Sequence, residues 1–447
     1  MSKRIKQIHP RSEEMSMDKN KSFWDEIQQK YEIVSISYVP AFHLTTGLKI
    51  QLELRDKQTR PLCEICNGRP NIHNYAEKEV TFGTLNGCPV VFSFKHCRYW
   101  CKKCDITFME EFDCLTWHSG LTTDAKNYII SKLGSQTFTD IAYEIGYCVQ
   151  SVSNIAREYG ESERKIQLST RCRYLSMDEI FISRDSKGTP KYYWVLNDIS
   201  TSWKSNNIRI DEGRNKEDVI KRLGELAHPD RVLAICIDMW KPYRDAICEA
   251  LPNATIVIDP FHVIQAAQRE MENVRKGAAV DRDTKNAFKK DSQLFFTSMF
   301  KLSDDELDRL ESYLRASTEI EKAYFIVQEL IALYRMNDYE DALNYLAAWE
   351  TEVHKSGIPE MISVLHTVQN WLPYILNHFI HRISNGKTEG KNHMLRVIDK
   401  MGFHYGIDAL QGCIYAHDRK QEFLKWQRHL QRKSNSAKNI SQVPVAA

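Results

Sequence analysis

Two short runs of Ile and Val, each closing on an aspartate, constrain this chain more than any other feature. The first reads Arg231-Val-Leu-Ala-Ile-Cys-Ile-Asp238 and the second Ala254-Thr-Ile-Val-Ile-Asp259, with a helix-length amphipathic segment between them. Continuous apolar runs of this length predict parallel strands buried on both faces, joined by a helical crossover. The carboxyl ends of such strands face the ligand crevice. Two carboxylates delivered there point to metal or acid/base chemistry rather than to packing.

The upstream text supplies the rest of a sheet. Arg173–Ser183, Lys191–Ile199 and Asn207–Asp211 read as strands with short connections, an antiparallel meander. Asp178 lies on the first of them and is a third candidate carboxylate. Its neighbour Glu179 is the alternative, because successive side chains of a strand point to opposite faces. A helix over Lys216–Leu226 leads to the parallel pair. After His262 the pattern is helical, through Ala266 to about Ile380, with Leu and aromatic stripes that belong to a core. Then Ile383-Ser-Asn-Gly386-Lys-Thr388-Glu389 breaks and restarts a helix, with Asn385 or Thr388 as candidate caps and Glu389 in the first turn. Taken alone, Glu389 reads first as a complement to the helix dipole.

Of 12 cysteines, six fall between Cys63 and Cys104. Clustering of this kind favours metal binding over disulfides. Cys63-x-x-Cys66 and Cys101-x-x-Cys104 place four thiolates as a tetrahedral zinc site requires, and with every corner filled such a site is structural. Cys97 is a rival ligand; Cys88 and Cys114 read as packing residues. The strand-like stretches at Val80–Phe82 and Pro89–Phe94 suit a zinc ribbon, and Ile33–Leu54 alternates as strands do. Next, Phe138–Ile145, Gly146 and Ser151–Arg157 have the shape of a helix-turn-helix, which would expose Gln150, Ser153, Asn154 and Arg157 to bases or phosphates. An ordinary helical hairpin is the plainer reading, and the adjoining cysteine knuckles favour DNA.

The net charge of +2 decides little, because the 303–352 stretch is acidic and the C-terminal region, with Arg419, Lys420, Lys425, Arg428, Arg432 and Lys433, is basic. No run approaches the ~18 apolar residues of a membrane helix, and the N-terminus lacks a secretory pattern. A cytoplasmic setting is expected. The expected organisation is a lead over 1–35, a zinc-binding domain over 36–117 and a helix-turn-helix domain over 118–172. A catalytic core follows over 173–265, a helical insertion over 266–380, a second core segment over 381–425 and a basic tail over 426–447.

The series of motifs resembles the ISL3 family of insertion-sequence transposases, a DDE group. It includes the cysteine knuckles with Ile106-Thr-Phe108, the helix-turn-helix, Met177-Asp178-Glu179, Gly213-Arg214-Asn215 and Asp238-Met-Trp240-Lys-Pro-Tyr243. Leu251-Pro-Asn-Ala254 with Asp259-Pro-Phe-His262, and Ser384 to Asn392, complete it, so that the series spans Cys63 to about Arg419. The resemblance implies an RNase H-like mixed sheet interrupted by the helical insertion, with Asp178, Asp238 and Glu389 as the catalytic triad. It also implies two Mg²⁺ or Mn²⁺ ions and double-stranded DNA, both terminal inverted repeats and target, as the partner. A homodimer or larger assembly in a bacterial, nucleoid-associated setting is the family expectation. Arg214, Lys387, Lys391 and Arg396 are candidate phosphate contacts. Asp259 and His262 remain auxiliary, each open between a ligand or proton-handling role and a structural one. A regulator that binds DNA without cutting it, and an RNase H-like nuclease without end recognition, are the alternatives.

Overall fold

The computed structural model describes residues 28–29, 31–41, 45–54, 61–85, 87–109, 120–184, 189–201, 204–278, 286–287, 289–297 and 299–440. The N-terminal lead with Phe23 and Trp24, and Cys114, lie outside them. By internal contacts the chain forms two units, one of residues 1–159 with 419–447 and the other of residues 160–418.

The first unit is built on a sheet of β1 (Tyr31–Ala41), β2 (Thr45–Leu54), β3 (Asn71–Leu85), β4 (Cys88–Cys101) and β5 (Ile106–Met109), in the order β1-β2-β4-β3 with β5 against β4. Its alternating apolar residues Tyr31, Ile50, Leu52, Val80, Val90, Phe92 and Phe94 form one buried cluster. Helices α1 (Thr123–Lys132), α2 (Phe138–Ile145) and the start of α3 (Val149–Leu168) follow. Thr137 and Asp140 make a reciprocal capping box at the start of α2. Gly146 ends it in the left-handed conformation (φ 64°), and a Cβ there would lie 2.9 Å from the Pro89 side chain. Both backbone angle and space thus require glycine at this turn.

In the second unit, β6 (Tyr174–Arg184), β7 (Pro190–Thr201) and β8 (Lys204–Glu212) are an antiparallel meander; β9 (Ala234–Ile237) and β10 (Thr255–Ile258) add to it in parallel, giving the order β10-β9-β6-β7-β8. Helix α4 (Lys216–Gly224) precedes β9, and α5 (Lys241–Ala250) makes the crossover to β10. Gly213 (φ 84°) turns the chain and Asn215 caps α4 by accepting from the Asp218 amide at 2.8 Å. As the sequence predicts, both parallel strands are buried on both faces. Ile235, Ile237, Ile256 and Ile258 join the main core, while Ala234, Cys236 and Val257 pack with Ile383. Each such fully buried aliphatic side chain contributes about 1.5–3 kcal/mol.

The helical region begins earlier than Ala266. Helix α6 (Pro260–Ala278) starts directly after β10, and α7 (Asp304–Ala316), α8 (Thr318–Leu333), α9 (Tyr339–Ser356), α10 (Pro359–Leu376) and the short α11 (His378–His381) follow. It is not a separate body: Trp349, Trp371 and Leu330 belong to the same continuous core as the sheet residues Leu175 and Trp194. Helix α12 (Gly386–Met401) carries Glu389, and α13 (Ile407–Ile440) runs as one helix into the segment expected to be a basic tail. At its start α13 lies along the edge strand β8. Gln411 accepts from the Ile210 amide at 2.6 Å, Tyr415 donates to the Ile208 carbonyl at 2.5 Å and Asp418 accepts from the Asn207 amide at 3.3 Å. Side chains one helical turn apart thereby satisfy backbone groups that would otherwise invite another strand.

Candidate active site

Strand register brings the aspartates together. Ser176 pairs with Cys236 across β6 and β9, and Ile258 with Ile237 across β10 and β9. Continued by one or two residues, those registers align Asp178, Asp238 and Asp259 across three neighbouring strands. Their fates then differ. Asp178, Asp238 and His262 present ligand atoms that all lie within 4.8 Å of one another. His262, the third residue of α6, approaches Asp238 Oδ1 through Nε2 at 2.5 Å, within hydrogen-bonding distance of the carboxylate. Asp259 is turned aside and only 2% exposed; its Oδ1 accepts from the Asn385 amide at 3.2 Å.

Asp178 is fixed from two sides. Its Oδ1 accepts from the Glu179 amide at 2.7 Å, and its Oδ2 from Asn392 Nδ2 at 2.5 Å. Burial, then the charge of Asp238, push its carboxyl up to about 7. Burial also raises Asp259, against the Asn385 amide and His262. For His262 burial favours the neutral ring, but the Asp238 carboxylate and then Asp259 outweigh it and the pKa rises. Carboxyls raised by burial and by a neighbouring carboxylate mark a site short of positive charge. The buried oxygen Asp259 Oδ2 has no hydrogen-bond donor, and Asp238 Oδ1 has only the His262 ring against it. Three hard or borderline ligands around such a deficit fit a divalent cation.

Glu389 is exposed and stands outside this group of three. Its helix nevertheless docks on the same strand. Thr388 and Asn392, one turn apart, reach Ser176 (2.5 Å) and Asp178, and Ser176 also donates to Asn385 Oδ1 at 2.8 Å. Asn385 and Thr388, which the sequence offers as caps, spend their side chains on Ser176 instead, and no side-chain cap forms. The charge of Glu389 reaches Asp259. Ser176 and Asn392 were not candidates in the sequence, although Ser176 sits two residues before Asp178 and so on the same face of β6.

Glu179 points the other way, as strand alternation demands. Its carboxylate accepts from Tyr243 Oη at 2.5 Å and from Arg214 at 3.0 Å. The Arg214 guanidinium lies between the rings of Tyr192 (5.2 Å) and Trp240 (5.1 Å). Glu179, Arg214, Trp240 and Tyr243, with Asp238 and His262, line a cleft of about 420 Å³ that reaches Arg269 on α6 and Trp371 on α10. Lys391 is half-buried in an ion pair with Asp418, whereas Lys387 and Arg396 are exposed.

In the first unit Cys63, Cys66, Cys101 and Cys104 also converge within 4.8 Å, with Cys66 and Cys101 sulfurs 3.5 Å apart. Cys97 is buried within β4 and outside the group. Each knuckle closes on a left-handed residue, Asn67 (φ 51°) after the first and Asp105 (φ 51°) after the second. The Cys66 thiol, then burial and the other sulfurs, push the Cys104 thiol up to about 12. Four crowded sulfurs of this kind fit a thiophilic cation. On α3, Gln150, Asn154 and Arg157 are exposed and Ser153 half-exposed, a stripe opposite the buried Val152, Ile155, Ala156 and Tyr159.

A mixed sheet whose strand ends gather carboxylates for a cation defines a class of protein; comparison with known chains specifies the family. A family model described as a transposase, the ISL3 type of DDE transposase, matches residues 175–411. The chain belongs to that family. The transposase for insertion sequence element IS1001 of Bordetella parapertussis is 24% identical over 369 residues, covering 80% of this chain and 89% of that one. The Drosophila P element transposase in its strand transfer complex is similar at a TM-score of 0.39 and 10% identity, over 69% of this chain and 94% of that one. Among the described residues no helix is long and apolar enough to cross a membrane.

Proposed function

We propose that this transposase binds the terminal inverted repeats of its insertion sequence and catalyses metal-dependent DNA strand cleavage and strand transfer from an RNase H-like core. The convergence of Asp178 and Asp238 from adjacent strands carries the reading, because phosphodiester displacement builds charge on attacking and leaving oxygens together. Two Mg²⁺ or Mn²⁺ ions would stabilise both oxygens and lower the pKa of the attacking water or hydroxyl. Asp238 holds the middle of the ligand set and Asp178 one side. Glu389 completes the triad from α12, where Thr388 and Asn392 already fix that helix against β6. Asn392 and the Glu179 amide aim the Asp178 carboxylate, and Asp259 anchors the loop before α12. The β8-β7-β6-β9-β10 order supports the RNase H-like assignment.

The four cysteines hold a structural zinc in a ribbon-like domain, and the α2–α3 pair acts as the helix-turn-helix. Gln150, Ser153, Asn154 and Arg157 contact DNA there, and Lys387 and Arg396 meet phosphates beside Glu389. Arg214 serves the cleft from its stacked position. A homodimer or larger assembly brings two ends together, in the cytoplasm at the nucleoid.

The test is cleavage of a plasmid carrying the element's ends with Mg²⁺ or Mn²⁺ present. Asp238→Ala should lose at least about 10³-fold in rate, and unchanged cleavage would sink the triad. Wild-type protein that protects the ends in a footprint but cuts nothing would mark a regulator. Cutting without end protection would mark a general nuclease.

A further inference from the structure

We infer that His262 is a direct ligand, through Nε2, of the ion held by Asp178 and Asp238, so that one of the two cation sites is a mixed oxygen–nitrogen site that prefers Mn²⁺ to Mg²⁺. The inference rests on the proposed metal-dependent activity and names a ligand beyond its three carboxylates.

Three observations carry it. The first is the grouping itself: Asp178, Asp238 and His262 are the one such set of the second unit among the described residues. Ligand atoms on adjacent corners of an octahedral ion stand about 3 Å apart, and on opposite corners about 4 Å. Mutual separations within 4.8 Å therefore admit a single ion with little rearrangement. The second is orientation. Nε2 itself faces Asp238 Oδ1 at 2.5 Å, and no other donor meets that buried oxygen among the described residues. Opening this contact by about 0.5 Å reaches the adjacent-corner spacing of an octahedral ion. The third is how the chain holds the ring. His262 lies in the first turn of α6, whose entry is set directly by β10: the Asp259 amide donates to the Ile237 carbonyl at 3.0 Å and the His262 amide to the Asp259 carbonyl at 3.1 Å. The imidazole is thus delivered by the same strand pair that places Asp238, and it needs no loop to close.

Glu389 does not compete for this corner. The residues of its helix that face β6 are Thr388 and Asn392, and Glu389 itself is exposed. An ion between Asp178 and Asp238 would meet His262 on the α6 side. Mg²⁺ demands oxygen ligands and gives up its waters reluctantly. A transition ion accepts an imidazole, and Mn²⁺ tolerates both ligand types. A nitrogen at one corner therefore shifts selectivity toward Mn²⁺ without abolishing Mg²⁺ binding.

The experiment is pulsed electron paramagnetic resonance of Mn²⁺ bound to the zinc-loaded full chain without DNA, with titration calorimetry of Mn²⁺ and Mg²⁺ alongside. Wild-type protein should show ¹⁴N coupling from a directly bound imidazole. His262→Gln, which keeps a polar side chain of similar reach, should lose that coupling. Its Mn²⁺ affinity should fall about tenfold, while Mg²⁺ affinity changes by less than about threefold. Asp178→Asn should weaken both ions. Mn²⁺ binding without ¹⁴N coupling in the wild type, or coupling that survives in His262→Gln, overturns the ligand assignment and leaves the carboxylate site standing. Failure of the wild type to bind either ion overturns the metal-dependent reading itself, and this inference with it.

Discussion

The two clusters with metal-ligand geometry are assembled in opposite ways. The cysteine cluster draws its four sulfurs from two tight knuckles, 63–66 and 101–104, each a local turn closed by a left-handed residue. The Asp178–Asp238–His262 cluster draws one group from each of three elements, 84 residues apart from first to last (262 minus 178), and only sheet register and a helix start bring them together. Within each knuckle the first is set by local backbone geometry. The second is held by a large core, and its own charges work against that core. A structural site and a reactive site thus differ in which way the ligands strain the fold.

Four changes would break or sharpen that contrast. The largest effect is expected from Cys63→Ser. Losing one corner of a thiolate site removes most of a binding energy that is also folding energy, on the order of 5 kcal/mol or more. Metal analysis should fall by about one zinc per chain, and limited proteolysis should open residues 61–109. An intact, zinc-free domain of wild-type stability would end the structural assignment.

Next is Glu389→Gln, which should slow end cleavage by about 10³-fold, roughly 4 kcal/mol of barrier, with thermal stability within about 0.5 kcal/mol of wild type. Retained cleavage would leave Asp178, Asp238 and His262 as the complete reactive set.

Asp178→Asn should do the reverse of the cysteine change in the metal-free protein. The carboxyl is raised from 3.8 to about 7 by burial and by Asp238. A raised folded pKa means the favourable contribution is complete below the unfolded value near 4 and is lost as pH rises through about 7. At pH 8 the neutral amide should therefore stabilise the metal-free chain by about 1–2 kcal/mol, after allowance for partial solvent access, and the gain should vanish near pH 4. Denaturant melts at the two pH values check it. A destabilised variant at pH 8 would show that the carboxylate is already compensated without a cation.

Smallest is Arg157→Ala on the exposed face of α3. Removing one phosphate contact should weaken binding to end DNA by less than about tenfold and lower the salt slope by about one. No change in slope would remove this face from the DNA interface.

Much of this was legible in the residues. The strand-ending aspartates, the cysteine knuckles, Gly146 at its turn and the alternation separating Asp178 from Glu179 are local patterns. Each follows from period, backbone angle or ligand spacing within a few residues. The unread part is what distant elements do to one another. Asp238 and Asp259 close identical-looking runs, yet one faces the cation site and the other is buried against the Asn385 amide, because α12 arrives from more than a hundred residues away. Asn385 and Thr388 carry the local signature of caps but bond Ser176 of β6. Lys391 looks like a phosphate contact until α13 brings Asp418 to it. The sequence by itself determined where carboxylates and thiols would be delivered, since delivery is set by local geometry. Only the tertiary structure decided which of them meet, and it brought His262 to Asp178 and Asp238. Partners of a buried polar group are chosen by whichever element packs against it, and no local pattern encodes that choice.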